Sequence, residues 1–230
     1  AYVGVRHAIA VANGTVALHA ALLGVGVQPG DRVVTTPFTF IASANSIVHA
    51  GAVPVFCDID PATYNICPDA LRETLAALAE AGTPAKAVMP VHLFGLPCDM
   101  ARIRAVASEF GAVIVEDAAQ AHGASFNGRR TGSFGLAAAF SFYATKNLAT
   151  GEGGIVVTDS DEVADHVRRV INHGRVGRYE HDILGYNYRM TDIAAAIGLV
   201  QLRKLEQLNL RRRMNADRLT RALSDVSDFT

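Results

Sequence analysis

Hydrophobic residues along the chain form short runs that alternate with longer segments of helical periodicity. Six of these runs are four or five residues long and rich in valine, isoleucine, alanine and phenylalanine; they cover residues 32–35, 53–56, 87–90, 112–115, 137–141 and 154–158. Apolar residues are nearly continuous within the runs and do not alternate with polar ones. We therefore expect strands that are covered on both faces, as in a mainly parallel sheet.

Between these runs lie segments in which apolar residues recur every three or four positions. They cover residues 15–23, 41–49, 68–79, 99–110 and 161–171. In the last of them Val163, Val167 and Val170 fall on one helical face. Alternation of strands and helices predicts an α/β fold, with right-handed crossovers and a mainly parallel sheet sandwiched by helices.

The pattern changes near the end of the sequence, where one long helix is predicted. Thr191 can cap this helix, and Ile193 and Ile197 then recur at helical spacing. The helix becomes strongly charged toward residues 211–213, which we interpret as a solvated face. A long helix leaving an α/β domain would suit a connector to a further domain.

The ends of the chain lead us to expect a segment of a longer polypeptide. It opens without methionine and closes inside a helical, charged stretch. We predict a large domain over residues 1–208, and over residues 209–230 the start of a connector to a smaller C-terminal domain that is largely absent.

Composition narrows the classes of function. Half of the residues are hydrophobic, and 21 basic against 22 acidic residues leave a net charge of −1, which gives no electrostatic footprint for nucleic acid or an anionic membrane. No apolar run approaches the roughly 20 residues that span a bilayer. Cys57, Cys67 and Cys98 are odd in number and lack metal or redox spacing, which favours reduced thiols in a cytoplasmic protein. The eight histidines are scattered, and we predict no metal site.

One lysine, Lys146, follows the apolar run 137–141, and the glycine-rich segment 151–154 comes soon after it. An amine must be desolvated and accurately placed to form a Schiff base, and a partly buried lysine can have its pKa lowered. Glycines let the backbone turn closely around a ligand. A surface lysine is the ordinary alternative, so Lys146 needs support from other residues.

A carboxylate provides part of that support. Asp117 stands just past the apolar run 112–115, at the end of a predicted strand, where ligands bind in open α/β sheets. A carboxylate that faces a pyridine nitrogen keeps it protonated, so that the ring can accept electrons. Gln120 could hydrogen-bond a ring hydroxyl. A helix cap explains Asp117 equally well.

Two further elements suit a flat, phosphorylated cofactor. Asn13, Gly14 and Thr15 open a predicted helix, whose first amides and dipole could bind a phosphate. Phe40 could stack on a ring. The ordinary alternatives are an N-cap for the turn and a core position for the phenylalanine.

The order of these elements resembles that of a known family. From about its first residue to about Leu208, the chain resembles the sugar aminotransferases of the DegT/DnrJ/StrS family. The motifs that carry the resemblance are Asn-Gly-Thr at 13–15, Pro-Phe-Thr-Phe-Ile-Ala-Ser-Ala-Asn at 37–45, Pro-Val-His-Leu-Phe-Gly at 90–95, Glu-Asp-Ala-Ala-Gln-Ala-His-Gly at 116–123, Ser-Phe-Tyr-Ala-Thr-Lys-Asn at 141–147 and Gly-Tyr-Asn-Tyr-Arg-Met at 185–190.

The resemblance implies a fold and an activity. The fold would be the large domain of fold type I transferases that use pyridoxal 5′-phosphate, with three α/β/α layers, as in the aspartate aminotransferase superfamily. The activity would be transfer of an amino group, with glutamate as the expected donor, to a keto group of a nucleotide-linked sugar; cyclitol ketones are also acceptors in this family. The enzyme would work as a homodimer with shared active sites.

The resemblance also implies the roles of individual residues. Lys146 would form the Schiff base and Asp117 would pair with the pyridine nitrogen, while Gln120 would sit near the ring hydroxyl and Phe40 would stack on the ring. The phosphate would be bound by Thr15, the Val16 backbone and Ser141.

Three more positions follow from the same resemblance. Asn187 would reach the cofactor phosphate of the neighbouring subunit. His92 and the segment 172–175 would face the substrate.

Three alternatives remain at this point. Sugar dehydratases of the same family carry histidine where Lys146 stands, which argues against that branch. A regulatory member without activity would not need the set that includes Thr15, Asp117 and Lys146. A dinucleotide-binding domain is suggested by Gly24-Val25-Gly26, but this pattern ends a helix and does not follow a strand.

Overall fold

The computed structural model describes residues 2–224 and 226. Its strands are β1 (His7–Val11), β2 (Arg32–Thr35), β3 (Val53–Phe56), β4 (Ala85–Val88), β5 (Val113–Asp117), β6 (Ser125–Phe126), β7 (Arg129–Arg130), β8 (Ala137–Ser141) and β9 (Gly154–Thr158). Its α-helices are α1 (Gly14–Gly24), α2 (Ala42–His49), α3 (Pro68–Glu80), α4 (Met100–Glu109), α5 (Asp161–Val170) and α6 (Asp192–Leu223), with a short 3₁₀ helix at Leu93–Gly95.

Seven of the strands form one mixed sheet in the order β1-β9-β8-β5-β4-β2-β3. Strand β9 runs antiparallel to both of its neighbours, and all the other pairings in the sheet are parallel. Strands β6 and β7 form a separate hairpin. The predicted mainly parallel α/β sheet is therefore confirmed.

Successive residues of the central strands point to opposite faces, and each face is covered by helices. Val33 and Val115 join the core under α1, α2 and α5, to which Leu22 and Ile47 also belong. Val34 and Ile114 join a second core with residues of α3 and α4, such as Leu71 and Ile103. Apolar residues at adjacent strand positions thus enter different cores, which explains the continuous runs and gives three α/β/α layers.

Two details of the sheet differ from the sequence prediction. Strand β3 lies at the edge, where Val53 is 41% and Phe56 is 52% exposed, so the expectation of two covered faces is wrong there. Strand β1 was not predicted, because it is a five-residue segment whose pairing partner β9 lies more than a hundred residues away.

The sheet brings the candidate residues to one edge. Strands β2, β4, β5 and β8 are parallel, so their carboxyl ends meet on the same side. Strand β1 runs in the same direction as β8, because β9 between them is antiparallel to both. The start of α1, just after β1, therefore lies beside the segments that follow β5 and β8.

Helix α6 crosses the predicted domain boundary without a break. Its start is capped as expected, since the Thr191 hydroxyl accepts a hydrogen bond from the Ala194 N–H. Leu205 and Asn209 are buried, whereas the side chains from 210 to 224 are exposed. The boundary near residue 208 stays a prediction, and residues 225 and 227–230 of the predicted connector lie outside the described part. Within residues 2–224 and 226, no helix combines the length and the apolar character needed to cross a membrane.

Candidate active site

A cavity of about 570 Å³ opens at the carboxyl edge of the sheet. Seven of the eight residues predicted for the site line it: Thr15, Val16, Phe40, Asp117, Gln120, Ser141 and Lys146. They come from four separate parts of the chain, which the sheet brings together.

The start of α1 forms one wall of the cavity. Asn13 caps the helix, since its side-chain oxygen accepts the Val16 N–H at 3.0 Å. The Val16 amide, which the resemblance assigns to phosphate binding, is therefore already paired in this structure. Among the described residues, the N–H groups of Gly14 and Thr15 have no acceptor, so they are the free donors at this positive helix end.

Helix α1 lies directly against the end of β8. A Cβ atom added to Gly14 would stand 2.6 Å from the Cβ of Ser141, closer than atoms of real side chains approach. Glycine at position 14 therefore allows the Ser141 hydroxyl to lie beside the free amides. Together, these groups form a cradle that could hold a small anion.

Lys146 lies in the loop that follows β8. Its N–H donates to the Tyr143 carbonyl at 2.9 Å, which closes a turn. The side chain is half-buried, and burial lowers the pKa of its amine, while the charge of Asp117 acts in the opposite direction. The alternative of an ordinary surface lysine does not fit this position.

The Lys146 loop is tied to helix α6. The side-chain amide of Asn147 donates to Asn209 at 3.1 Å, and the Asn209 amide donates to the His122 carbonyl at 2.8 Å. His122 is itself buried, and this burial lowers the pKa of its imidazole to about 4. The ring beneath the loop is therefore neutral near pH 7.

Asp117 ends strand β5 and is 4% exposed. One carboxylate oxygen accepts the Ser43 hydroxyl at 2.7 Å, and the other accepts the Ala119 N–H at 3.1 Å. Burial raises the pKa of the carboxyl group, and these two hydrogen bonds act against that increase, as does the charge of Lys146. No α-helix follows Asp117 directly, so the helix-cap alternative does not account for it.

Gln120 and Phe40 stand at the rim. The side-chain oxygen of Gln120, Oε1, accepts the Phe94 N–H at 2.6 Å, which fixes the plane of the side-chain amide. Among the described residues the Gln120 NH₂ group has no acceptor, so it can donate to a ligand. Phe40 is 68% exposed, which shows that it is not a core residue.

The remaining positions lie elsewhere. Asn187 is exposed and does not line the cavity of its own chain. His92 is fully buried, so the expectation that it faces the substrate is wrong. Its Nε2 lies 2.9 Å from Glu116, while its Nδ1 accepts the Cys98 N–H. The segment 172–175 is likewise absent from the cavity wall.

The cavity also contains residues that the sequence analysis did not select. Ser43 and Thr39 lie beside Asp117, and Tyr143, Glu152 and Tyr188 complete other parts of the wall. Ser43 stands 74 positions before Asp117 in the sequence, so no local spacing connects the two. The sequence signal that could have pointed to Ser43 was a hydroxyl residue in the first turn of the helix that follows β2.

Comparisons with known proteins agree with this geometry. The model of the DegT/DnrJ/EryC1/StrS aminotransferase family matches residues 1–230. The GDP-perosamine synthase of Caulobacter vibrioides is 48% identical over 208 residues, covering 90% of this chain and 54% of that protein. A pleiotropic regulatory protein of Geobacillus stearothermophilus is 46% identical over 227 residues, covering 98% of this chain and 59% of that protein. The chain thus spans little more than half the length of these relatives.

Solved structures extend the likeness to three dimensions. A DegT/DnrJ/EryC1/StrS aminotransferase from Brucella abortus superimposes with a TM-score of 0.93 at 41% identity, over 98% of this chain and 61% of that one. The NtdA protein of Bacillus subtilis, solved with bound cofactor PMP, gives a TM-score of 0.91 at 32% identity, over 99% of this chain and 51% of that one.

The contact between Gly14 and Ser141 gives a prediction about the anion cradle. Gly14→Ala places a methyl group 2.6 Å from the Ser141 Cβ, so α1 must move away from β8. We expect the affinity for a phosphorylated cofactor to fall about tenfold or more, and the free energy of unfolding to fall by about 1–3 kcal/mol.

Fluorescence titration and urea denaturation measure the two effects. Gly177→Ala is the matched control, because the three atoms nearest to its added methyl group all belong to the exposed side chain of Glu180. Equal cofactor affinities of the two variants would contradict the proposed cradle.

Proposed function

Because the chain belongs to the DegT/DnrJ/EryC1/StrS aminotransferase family, we propose that it is the cofactor-binding part of an aminotransferase that uses pyridoxal 5′-phosphate. We further propose that the enzyme moves an amino group, with glutamate as donor, to a keto group of a nucleotide-linked sugar. This proposal rests on the cavity, which is lined by a desolvated amine, a buried carboxylate and the N-terminus of α1 with its unpaired N–H groups.

The residues of the cavity suit this cofactor. Phosphate would bind the N–H groups of Gly14 and Thr15 and the hydroxyls of Thr15 and Ser141. Gln120 would donate to the ring hydroxyl and Phe40 would cover the ring. When bound, pyridoxal 5′-phosphate supplies an aldehyde that condenses with amines and a protonated pyridine ring that withdraws electrons.

Lys146 and Asp117 would have different roles in the reaction. A lowered pKa leaves a larger share of the Lys146 amine neutral near pH 7, as nucleophilic attack and proton abstraction both require. Its Nζ would first hold the cofactor, and once released would carry a proton from the donor's α-carbon. Asp117 would stay ionised opposite the ring nitrogen and hold the proton there.

The named functions of two relatives support the substrate class and also keep one competing role open. The similarity to a GDP-perosamine synthase supports a nucleotide-linked sugar as acceptor. The similarity to a pleiotropic regulatory protein keeps a regulatory role as a second candidate. The presence of Lys146 in the cavity favours catalysis over that role, and also over the dehydratase branch of the same family, whose members carry histidine at this position.

The placement of Asn187 supports a homodimer with shared sites. Its side chain lies on the outer surface, outside the cavity of its own chain. Nearby on α6, Ile193 is 77% and Leu199 is 63% exposed, which suits a face covered by a second copy. The three free cysteines support a cytoplasmic location.

Covalent trapping tests the role of Lys146. The chain has three lysines, Lys86, Lys146 and Lys204, so the assignment can be tested completely. Borohydride reduction of the protein with pyridoxal 5′-phosphate should attach the cofactor to Lys146 alone, as read by peptide mass spectrometry. Lys146→Ala should abolish attachment, whereas Lys86→Arg and Lys204→Arg should retain it. Attachment that persists at another lysine in Lys146→Ala would refute the assignment.

A half-reaction tests the acceptor class and the catalytic role together. Protein loaded with the aminated cofactor should return to the aldehyde form on addition of a nucleotide-linked keto-sugar, as followed by absorbance. Asp117→Asn should slow this return by about 10³-fold, since a neutral amide does not hold the ring proton. A free keto-sugar without its nucleotide is the matched substrate control. No return with any keto-sugar, despite bound cofactor, would favour the regulatory candidate.

Mixed dimers test the shared site. Lys146→Ala and Asn187→Ala protomers are each defective, but a mixed dimer would combine Lys146 of one with Asn187 of the other. Random mixing should therefore restore about a quarter of the wild-type activity, because half of the dimers contain one complete site of two. Mixtures that are no more active than the two variants measured separately would argue that each site is built from one chain.

A further inference from the structure

The hydrogen bonds around Asp117 include a hydroxyl chain that none of the roles assigned above uses. Ser43 donates to a carboxylate oxygen of Asp117 at 2.7 Å, and its own oxygen lies 2.8 Å from the hydroxyl of Thr39. Ser43 is 1% exposed, and Thr39 lines the cavity. The three polar groups form a continuous line from the cavity wall to the carboxylate.

The direction of this line follows from the number of available protons. A hydroxyl has a single hydrogen, and Ser43 gives its hydrogen to Asp117, so Thr39 must be the donor to Ser43. The opposite direction would require a protonated Asp117. The Ala119 N–H on the second oxygen and the nearby charge of Lys146 both oppose that form.

Because Asp117 is buried, the hydrogen-bond donors around it influence whether its carboxyl group is ionised. Asp117 loses nearly all contact with water, and a buried carboxylate without donors takes up a proton. The charges of Lys146, from the loop after β8, and of His92, from the segment after β4, favour its ionised form. The other ionisable residues that line the same cavity are His49, Tyr143, Glu152 and Tyr188. The hydrogen bond from the Ser43 hydroxyl is the shorter of the two that the Asp117 carboxylate accepts. Donation from Thr39 polarises the Ser43 hydroxyl further.

The local backbone fixes the position of Ser43. It is the second residue of α2, and its N–H donates to the Phe40 carbonyl at 3.1 Å. The positive end of α2 therefore lies beside the carboxylate. The Ser46 hydroxyl donates to the Ser43 carbonyl at 2.9 Å and does not contact Asp117.

We propose that Thr39 and Ser43 form a positioning relay, in which two hydroxyl groups keep the Asp117 carboxylate ionised and leave its remaining lone pairs free for the ring nitrogen of the cofactor. The relay rests on the proposed function, since it acts on the cofactor through Asp117. Neither hydroxyl needs to touch the ring. Loss of the relay would move the proton from the ring nitrogen toward the carboxylate and weaken the electron-withdrawing power of the ring.

Three variants separate this role from simple packing. Ser43→Ala removes the direct donor, and Thr39→Val removes the second hydroxyl at nearly constant volume, at a half-buried site that tolerates change. Ser46→Ala is the matched control, because it removes a buried hydroxyl from the same helix that does not contact Asp117.

The first measurement uses the protein without cofactor. The carboxyl carbon of Asp117, assigned by its loss in Asp117→Asn, is titrated by ¹³C NMR. Ser43→Ala should raise the carboxyl pKa by about one unit or more, as expected for the loss of a hydrogen bond to a charged group. The ionised form is then lost at a higher pH as the solution is acidified. Thr39→Val should give a smaller shift in the same direction, and Ser46→Ala should match the wild type.

The second measurement uses the holoenzyme reconstituted with ¹⁵N-labelled pyridoxal 5′-phosphate. The ring-nitrogen resonance should lie in the pyridinium range in the wild type and move toward the neutral-pyridine range in Ser43→Ala. An unchanged resonance in Ser43→Ala, or an equal shift in Ser46→Ala, would overturn the relay while leaving the proposed function intact. If the wild type does not bind the cofactor at Lys146, the proposed function fails and the relay fails with it, whatever the carboxyl titration shows.

Discussion

The proposed function depends on one electrostatic constraint, namely that a carboxylate must remain charged inside the protein. Asp117 stands at the end of a central strand, almost without contact with water. Burial alone would protonate it, so its charge depends on the donors and positive groups arranged around it. The Ser43 hydroxyl, the Ala119 N–H and the Lys146 amine come from three different parts of the chain. Much of the fold near the cavity can be understood as the means of bringing these three together.

Glu116, the residue before Asp117, is a second buried carboxylate, and its surroundings suit a structural role. Glu116 is fully buried, and its carboxylate accepts the N–H groups of Gly132, Phe134 and Gly135 and faces His92. These donors satisfy both oxygens, so Glu116 has no capacity left for a ligand. Asp117, on the opposite face of the strand, has fewer donors and lines the cavity. Two adjacent carboxylates thus differ in role because they differ in how completely the protein satisfies them.

Some features of the fold and the site could be predicted from the sequence, and others could not. Strand and helix positions were predictable, because the continuous apolar runs and the 3.6-residue periodicity reflect burial against helices on both faces. Asp117 and Lys146 could be proposed because each follows an apolar run that ends at the ligand-binding edge of the sheet. His92 was misplaced, since a histidine in a motif gives no sign of whether its ring points into the cavity or toward Glu116. Ser43 and the occupied Val16 amide were not predictable, because both depend on distances between groups in three dimensions.

Helix α6 adds a mechanical link to this electrostatic arrangement. Asn209 is the last residue of α6 with a buried side chain, and it binds both the carbonyl of His122 and the side chain of Asn147. His122 follows the Asp117 segment and Asn147 follows Lys146, so one side chain links the two segments that carry the acid and the amine. Loss of the Asn209 side chain would leave the buried His122 carbonyl and the partly buried Asn147 amide without these partners, which costs more than the loss of one bond between exposed groups. Helix α6 therefore helps to hold these two segments together, in addition to the sheet.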